Sequence, residues 1–212
     1  MNLRAVHPSL IKYCQDNIIP QYQKLDLAHQ PNHVFDVIKK SMEIAIDYDV
    51  DIDMIYVIAV FHDIGLLVDR KLHHIKGGEM LKGDLFINRY FTKAAIDVMR
   101  MAIEDHRASN KNEPRSIYGK IISEADRLID PKTIILRSIQ FQLSQTSSKS
   151  FESIYPHVKA HLIDKYGKEG YLKLWLDTKE NIKQLDILRT TIDNSDMLYL
   201  MTKRIYEEIK DQ

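Results

Sequence analysis

An adjacent His62-Asp63 pair closes the most apolar stretch of the chain, VIAVFHDIG over 57–65. A carboxylate in such a run is costly to bury unless its charge is compensated. A metal ion would compensate it, and so would a buried arginine or a hydrogen-bond network. Side chains of matching type stand on other segments: His33, His74, His106, and Asp126 in SEADRL. Imidazole and carboxylate are the ligand types that borderline first-row metals take. An HD dipeptide is common by chance, so the setting carries the argument. His74 is the candidate at that position; the neighbouring His73 could be the ligand instead, or both could be solvated. His7, His29, His157 and His161 have no motif around them and read as surface residues.

The elements that must position these groups read as helices. Pro8 starts a first helix, over 8–19. From Pro31 to about Tyr48, Val34, Val37, Ile38, Met42, Ala45 and Ile46 recur at a spacing of three and four, which places His33 in a first helical turn. Residues 52–64 are apolar nearly all round, the pattern of a helix at the centre of a core, and Gly65 fits its stop. Further helices are expected over 75–87, 92–107, 116–129 (with Leu128 on its apolar stripe) and from Pro131 to about Leu143. More helix is expected around 151–166 and onward to the C-terminus. No period-two run appears, so the fold class is all-α. SQTSSKS is the best boundary, dividing a core over 1–146 from a helical extension over 147–212 packed on it. GYLKLWL, with Trp175, reads as the apolar anchor of that extension, or as a homodimer contact.

Composition narrows the function. Thirty Lys+Arg balance thirty Asp+Glu, so the basic excess of a nucleic-acid wrapper or an anionic-lipid binder is missing. A single cysteine, Cys14, excludes an internal disulfide and a cysteine-based zinc site, and points to a reducing compartment. No apolar run is long enough to span a bilayer and no signal-peptide core stands at the start, so the expected location is cytoplasmic.

The ordered set His33, His62-Asp63 and Asp126 resembles the HD superfamily of metal-dependent phosphohydrolases. The words VFHDIG and SEADRL agree with it, and the resemblance covers about residues 30–130. HHIKGGEML is similar to a segment of two-metal members in which a His precedes a Gly by four, here taken as His74 and Gly78. EDHR around His106 looks like the next family histidine. A Gly-Tyr-Pro signature is missing after His106, where the chain reads RASNKNEPRSIYG, so the cyclic-dinucleotide-degrading branch is not expected.

The resemblance implies an HD-type helical bundle whose His33, His62, Asp63 and Asp126 hold a first divalent transition metal (Mn, Fe, Co, Ni or Zn). His74 and His106 then hold a second ion or orient a phosphate, and Asp63 could bridge the two. A metal-activated hydroxide would hydrolyse a phosphoester or phosphoanhydride of a small phosphorylated metabolite, a nucleotide first. Basic residues near the motifs are candidates for phosphate contact: Lys71 and Arg107 foremost, then Arg115, Lys120 and Lys111. Tyr118 is a further candidate through its hydroxyl. Two other readings stay open: a diiron oxygenase on the same ligands, and a non-catalytic nucleotide-binding regulatory module.

Overall fold

The computed structural model of the chain describes residues 6–26, 29–110, 112–127 and 129–210; Lys111 and Leu128 lie outside them. Among these residues the regular structure is helical throughout, with no strand, as an all-α class requires. The chain divides into two compact units, 1–128 and 129–212.

In the first unit, helix α1 (Pro8–Tyr13) runs on into a π-helical turn at Cys14–Ile18 and a 3-10 stretch at Ile19–Lys24. Pro20 has no N–H to donate to an α-helical ladder, so the expected single helix over 8–19 changes character there. Next come α2 (Pro31–Ala45), α3 (Ile52–Phe61), a 3-10 turn at Ile64–Leu67, and α4 (His73–Gly83). Short α5 (Leu85–Tyr90), α6 (Lys93–Asp105) and α7 (Ile117–Asp126) complete the unit.

Each start has a local cause. Asp51 accepts the Asp53 and Met54 N–H groups at the head of α3, while Thr92 and Ser116 cap α6 and α7. A side-chain cap of this kind is worth about 1 kcal/mol. Helix α3 is buried from Met54 to Phe61, so its apolar circumference is core on all sides. Helix α2 covers it with Val34, Val37 and Ile38, α6 with Met99, Ala102 and Ile103, and α7 with Ile121, Ile122 and Ala125. The histidines and aspartates singled out in the sequence sit at the ends of these helices.

Gly65 is required by packing. A Cβ there would lie 2.0 Å from the His73 carbonyl oxygen and 2.4 Å from the Gly77 nitrogen. Only a bare backbone lets the turn after Asp63 seat directly against the first turns of α4.

The second unit holds α8 (Pro131–Gln145), α9 (Phe151–Tyr166), α10 (Lys179–Asp193) and α11 (Ser195–Ile209). The boundary expected at 146/147 falls inside this unit. Helix α8 presents Ile135 and Ile139 to α9 and α11, which contribute Ile154, Val158 and Leu198 to a shared core. The polar SQTSSKS segment is therefore a connection between packed helices.

Candidate metal centre

Six side chains converge where α2, α3, α4, α6 and α7 end. His33 comes from the first turn of α2, His62 and Asp63 follow α3, His73 opens α4, His106 closes α6 and Asp126 ends α7. They form two clusters with Asp63 in both: His33, His62, Asp63 and Asp126 in one, and Asp63, His73 and His106 in the other.

Asp63 divides its oxygens between them. Its Oδ2 lies 3.2 Å from His62 Nε2 and 3.5 Å from His33 Nε2. Its Oδ1 lies 3.4 Å from His106 Nε2 and 3.5 Å from His73 Nε2. Asp126 Oδ1 is 3.2 Å from His33 Nε2 and 3.8 Å from His62 Nε2. His62, Asp63, His106 and His33 are buried, and Asp126 keeps 24% of its side-chain surface exposed.

Backbone carbonyls orient three of the rings. His62 Nδ1 donates to Ala59 O at 2.7 Å, His106 Nδ1 to Ile103 O at 2.6 Å, and His73 Nδ1 to Arg70 O at 3.0 Å. Each accepting residue precedes its histidine by three, so the helix end itself supplies the acceptor. A carbonyl can only accept, which places the ring proton on Nδ1 and leaves the Nε2 lone pair turned into the cluster. This is the arrangement of metal-ligating imidazoles. His33 Nε2 and His62 Nε2 stand 3.2 Å apart, a contact that two lone pairs resist and a cation or shared proton relieves. Adjacent ligands on an octahedral ion with bonds of about 2.1 Å are separated by roughly 3 Å. The donor set and spacing of the first cluster therefore fit a divalent ion.

The protonation directions follow from this crowding. Burial pushes Asp63 up, but His62, His106 and His33 outweigh it and hold the carboxyl well below its usual range. Burial also raises Asp126, against which His33 and His62 win, so it too is held low. Burial pulls His33 down, and the two aspartates overcome it, bringing the ring up to about 10. His106 is raised against burial by Asp63. His73 is lowered, mainly by burial, with His106 adding repulsion. The metal-free cluster is thus a tight array of compensating charges, held together by protons on histidines.

Of the expected ligands, His33, His62, Asp63, His106 and Asp126 come together, and His74 does not. His73 takes its place. Both histidines stand four residues before a glycine, and Gly77 belongs with His73. A Cβ on Gly77 would lie 3.1 Å from Phe61 O and from Ile103 Cγ2, so this face of α4 is the one pressed to the end of α3. His74 points elsewhere, with its Nδ1 buried and without a hydrogen-bond partner. Burial, then Arg107, lowers it to about 4.

The basic candidates separate as well. Arg107 donates to the Lys71 carbonyl at 3.0 Å and acts electrostatically on His73 and His74, which sets it beside the second cluster. Lys71 is exposed, its N–H held by Asp69 Oδ1 at 2.7 Å. Arg115 is taken up by carboxylates, at 3.0 Å from both oxygens of Asp105 and 2.7 Å from Glu104. Lys120 pairs with Glu113. Among the described residues, neither Arg115 nor Lys120 has a hydrogen bond or ion pair to a cluster residue. The Tyr118 hydroxyl accepts from the Asp51 N–H at 2.9 Å and serves the start of α3.

One residue expected at the surface stands at the rim of the first cluster. His29 Nε2 lies 4.0 Å from Asp63 Oδ2, and its Nδ1 is 2.7 Å from Asp26 Oδ1. Its only sequence signal is the HxxxH spacing to His33, and Pro31 between them starts a helix that excludes His29.

No helix among the described residues is long and apolar enough to cross a membrane. No curated protein and no solved structure matches the chain. A family model, described as the HD domain, matches residues 32–129.

Proposed function

We propose, from the match of residues 32–129 to the HD-domain family, that the chain is a metal-dependent phosphohydrolase acting on a small phosphorylated metabolite of the nucleotide class. The observation that carries the reading is the division of Asp63 between two histidine sets, Oδ2 toward His62 and His33 and Oδ1 toward His106 and His73. His33, His62, Asp63 and Asp126 would hold one divalent ion, and Asp63, His73 and His106 a second. Ions bound there supply a lowered water pKa and neutralise charge on a phosphoryl oxygen.

The chain's own residues would do the rest. Three carbonyl-braced imidazoles keep fixed tautomers through turnover. Arg107 spends one N–H on the Lys71 carbonyl and has other donors to offer a phosphate as a planar fork. Lys71, exposed on the loop before α4, would add a mobile positive charge as the transition state gains negative charge.

The test is phosphate release from a panel of nucleotides and other phosphorylated metabolites, with Mn, Fe, Co, Ni and Zn in turn. Asp63→Ala is the control. Metal-dependent release by the wild type alone supports the reading. Metal uptake with iron-dependent oxygen consumption and no phosphate release would favour a diiron oxygenase, because two clusters sharing one carboxylate suit that chemistry too.

A further inference from the structure

His29 stands at the edge of the first cluster in a pose that the ligand set does not explain. Its Nδ1 faces Asp26 Oδ1 at 2.7 Å, and a carboxylate only accepts, so Nδ1 carries a proton there. In the neutral ring Nε2 is then a lone-pair acceptor. That lone pair lies 4.0 Å from Asp63 Oδ2, which is also an acceptor. Arg70 NH1 bonds the other oxygen of Asp26 at 2.5 Å, fixing the carboxylate that fixes the ring. The His29 and His33 rings stand edge to face, 5.9 Å between centroids, so His29 is braced on a second side. Its side chain keeps 24% of its surface exposed.

Two acceptors 4.0 Å apart do not bond each other. They are spanned by one atom that donates twice, through hydrogen bonds of about 2.8 Å each. For those lengths the two bonds meet at roughly a right angle, close to the angle between the O–H bonds of water. We propose that His29 Nε2 and Asp63 Oδ2 form a two-acceptor cradle for one water, and that His29 is a further catalytic residue which orients it. With both hydrogens committed to the cradle, the oxygen lone pairs of that water point away from both His29 Nε2 and Asp63 Oδ2.

The inference rests on the phosphohydrolase reading only in making this water a reactant. In that reading its oxygen bonds to phosphorus while the bond from phosphorus to the leaving oxygen breaks with its electron pair. One water proton stays on the new phosphate oxygen and the other reaches the leaving oxygen through solvent.

The experiment combines crystal structures of the metal-loaded wild type and His29→Ala with metal content, kcat and KM for both and for His29→Gln, whose amide oxygen is again an acceptor. The expected result is a water within hydrogen-bond distance of both atoms in the wild type and missing from His29→Ala. Metal content should be unchanged, with kcat about 10- to 100-fold lower, KM within about threefold, and part of the loss restored in His29→Gln. The proposal is overturned if no water bridges the two atoms in the wild type, or if Nε2 binds the metal directly. It is equally overturned if His29→Ala loses metal or turns over at the wild-type rate. A metal-loaded wild type that shows the bridging water but releases no phosphate supports the cradle and ends only the hydrolase reading.

Discussion

Asp63 and His73 face each other across the junction of α3 and α4, Oδ1 to Nε2 at 3.5 Å, while the neighbouring His74 is turned out of the cluster. His73→Ala is therefore expected to lower the bound metal from two ions per chain to one and to cost at least 100-fold in activity. His74→Ala should keep both ions. Elemental analysis of the two purified variants decides between them, and metal loss in His74→Ala instead would reverse the assignment.

The same junction depends on Gly65. Gly65→Ala places a methyl against the backbone of His73 and Gly77, and backbone cannot swing aside. A loss of about 1–3 kcal/mol in unfolding free energy is expected from such overpacking, accompanied by weaker metal retention. Gly83→Ala is the contrast, because an added Cβ meets nothing within 4 Å there. Urea denaturation of the metal-free variants should show the first clearly destabilised and the second at or above the wild type.

Protons and metal compete for His33. Its folded value, raised to about 10, lies above its ordinary 6.5, so its stabilisation of the metal-free chain is complete below about 6.5 and is lost as pH rises through about 10. Asp63 and Asp126 are held low, so theirs is present above the ordinary carboxylate value of about 4 and is lost as pH falls through the folded values. Metal binding requires neutral imidazole and releases the His33 proton. The stabilisation conferred by added Mn or Zn should then grow from pH 6 to pH 9, by up to about 1.4 kcal/mol per pH unit for each proton displaced. Melting temperatures with metal and with chelator across that range check it, and a difference that does not change with pH contradicts it.

Arg107 and Arg115 offer a matched pair. Arg115 is committed to Asp105 and Glu104, whereas Arg107 stands beside the second cluster and donates to the Lys71 carbonyl. Arg107→Ala should raise KM for a phosphorylated substrate about tenfold or more, a charge-assisted contact being worth roughly 1.5–3 kcal/mol. Arg115→Ala should leave KM within about twofold and show its effect in stability. Steady-state kinetics on both variants separate the roles.

Much of this was legible from residue types alone. The apolar circumference of 52–64 marked α3 as the core helix, and that placed His62-Asp63 where a buried charge needs a partner. The order of His33, Asp63, His106 and Asp126 on four different helices needed no coordinates. His73 against His74 was not decidable, because both satisfy the same four-residue spacing to a glycine. The face of α4 that meets Gly65 and the end of α3 brings His73, and not His74, to the cluster. Arg115 looked available because its partners lie 10 and 11 residues earlier, across a loop. His29 was invisible for a similar reason: its neighbours Asp26 and Asp63 are brought to it by the chain path before α2. The polar composition of SQTSSKS said nothing of which way α8 would pack.

The central claim is that Asp63 joins two ion sites into one hydrolytic centre. Metal content per chain, measured on wild type and Asp63→Ala purified without chelator and dialysed against Mn, Fe, Co, Ni or Zn, tests it most directly. Two ions on the wild type, and loss of both together with all phosphate release in Asp63→Ala, is the predicted result. A wild type that takes up none of the five metals would contradict it.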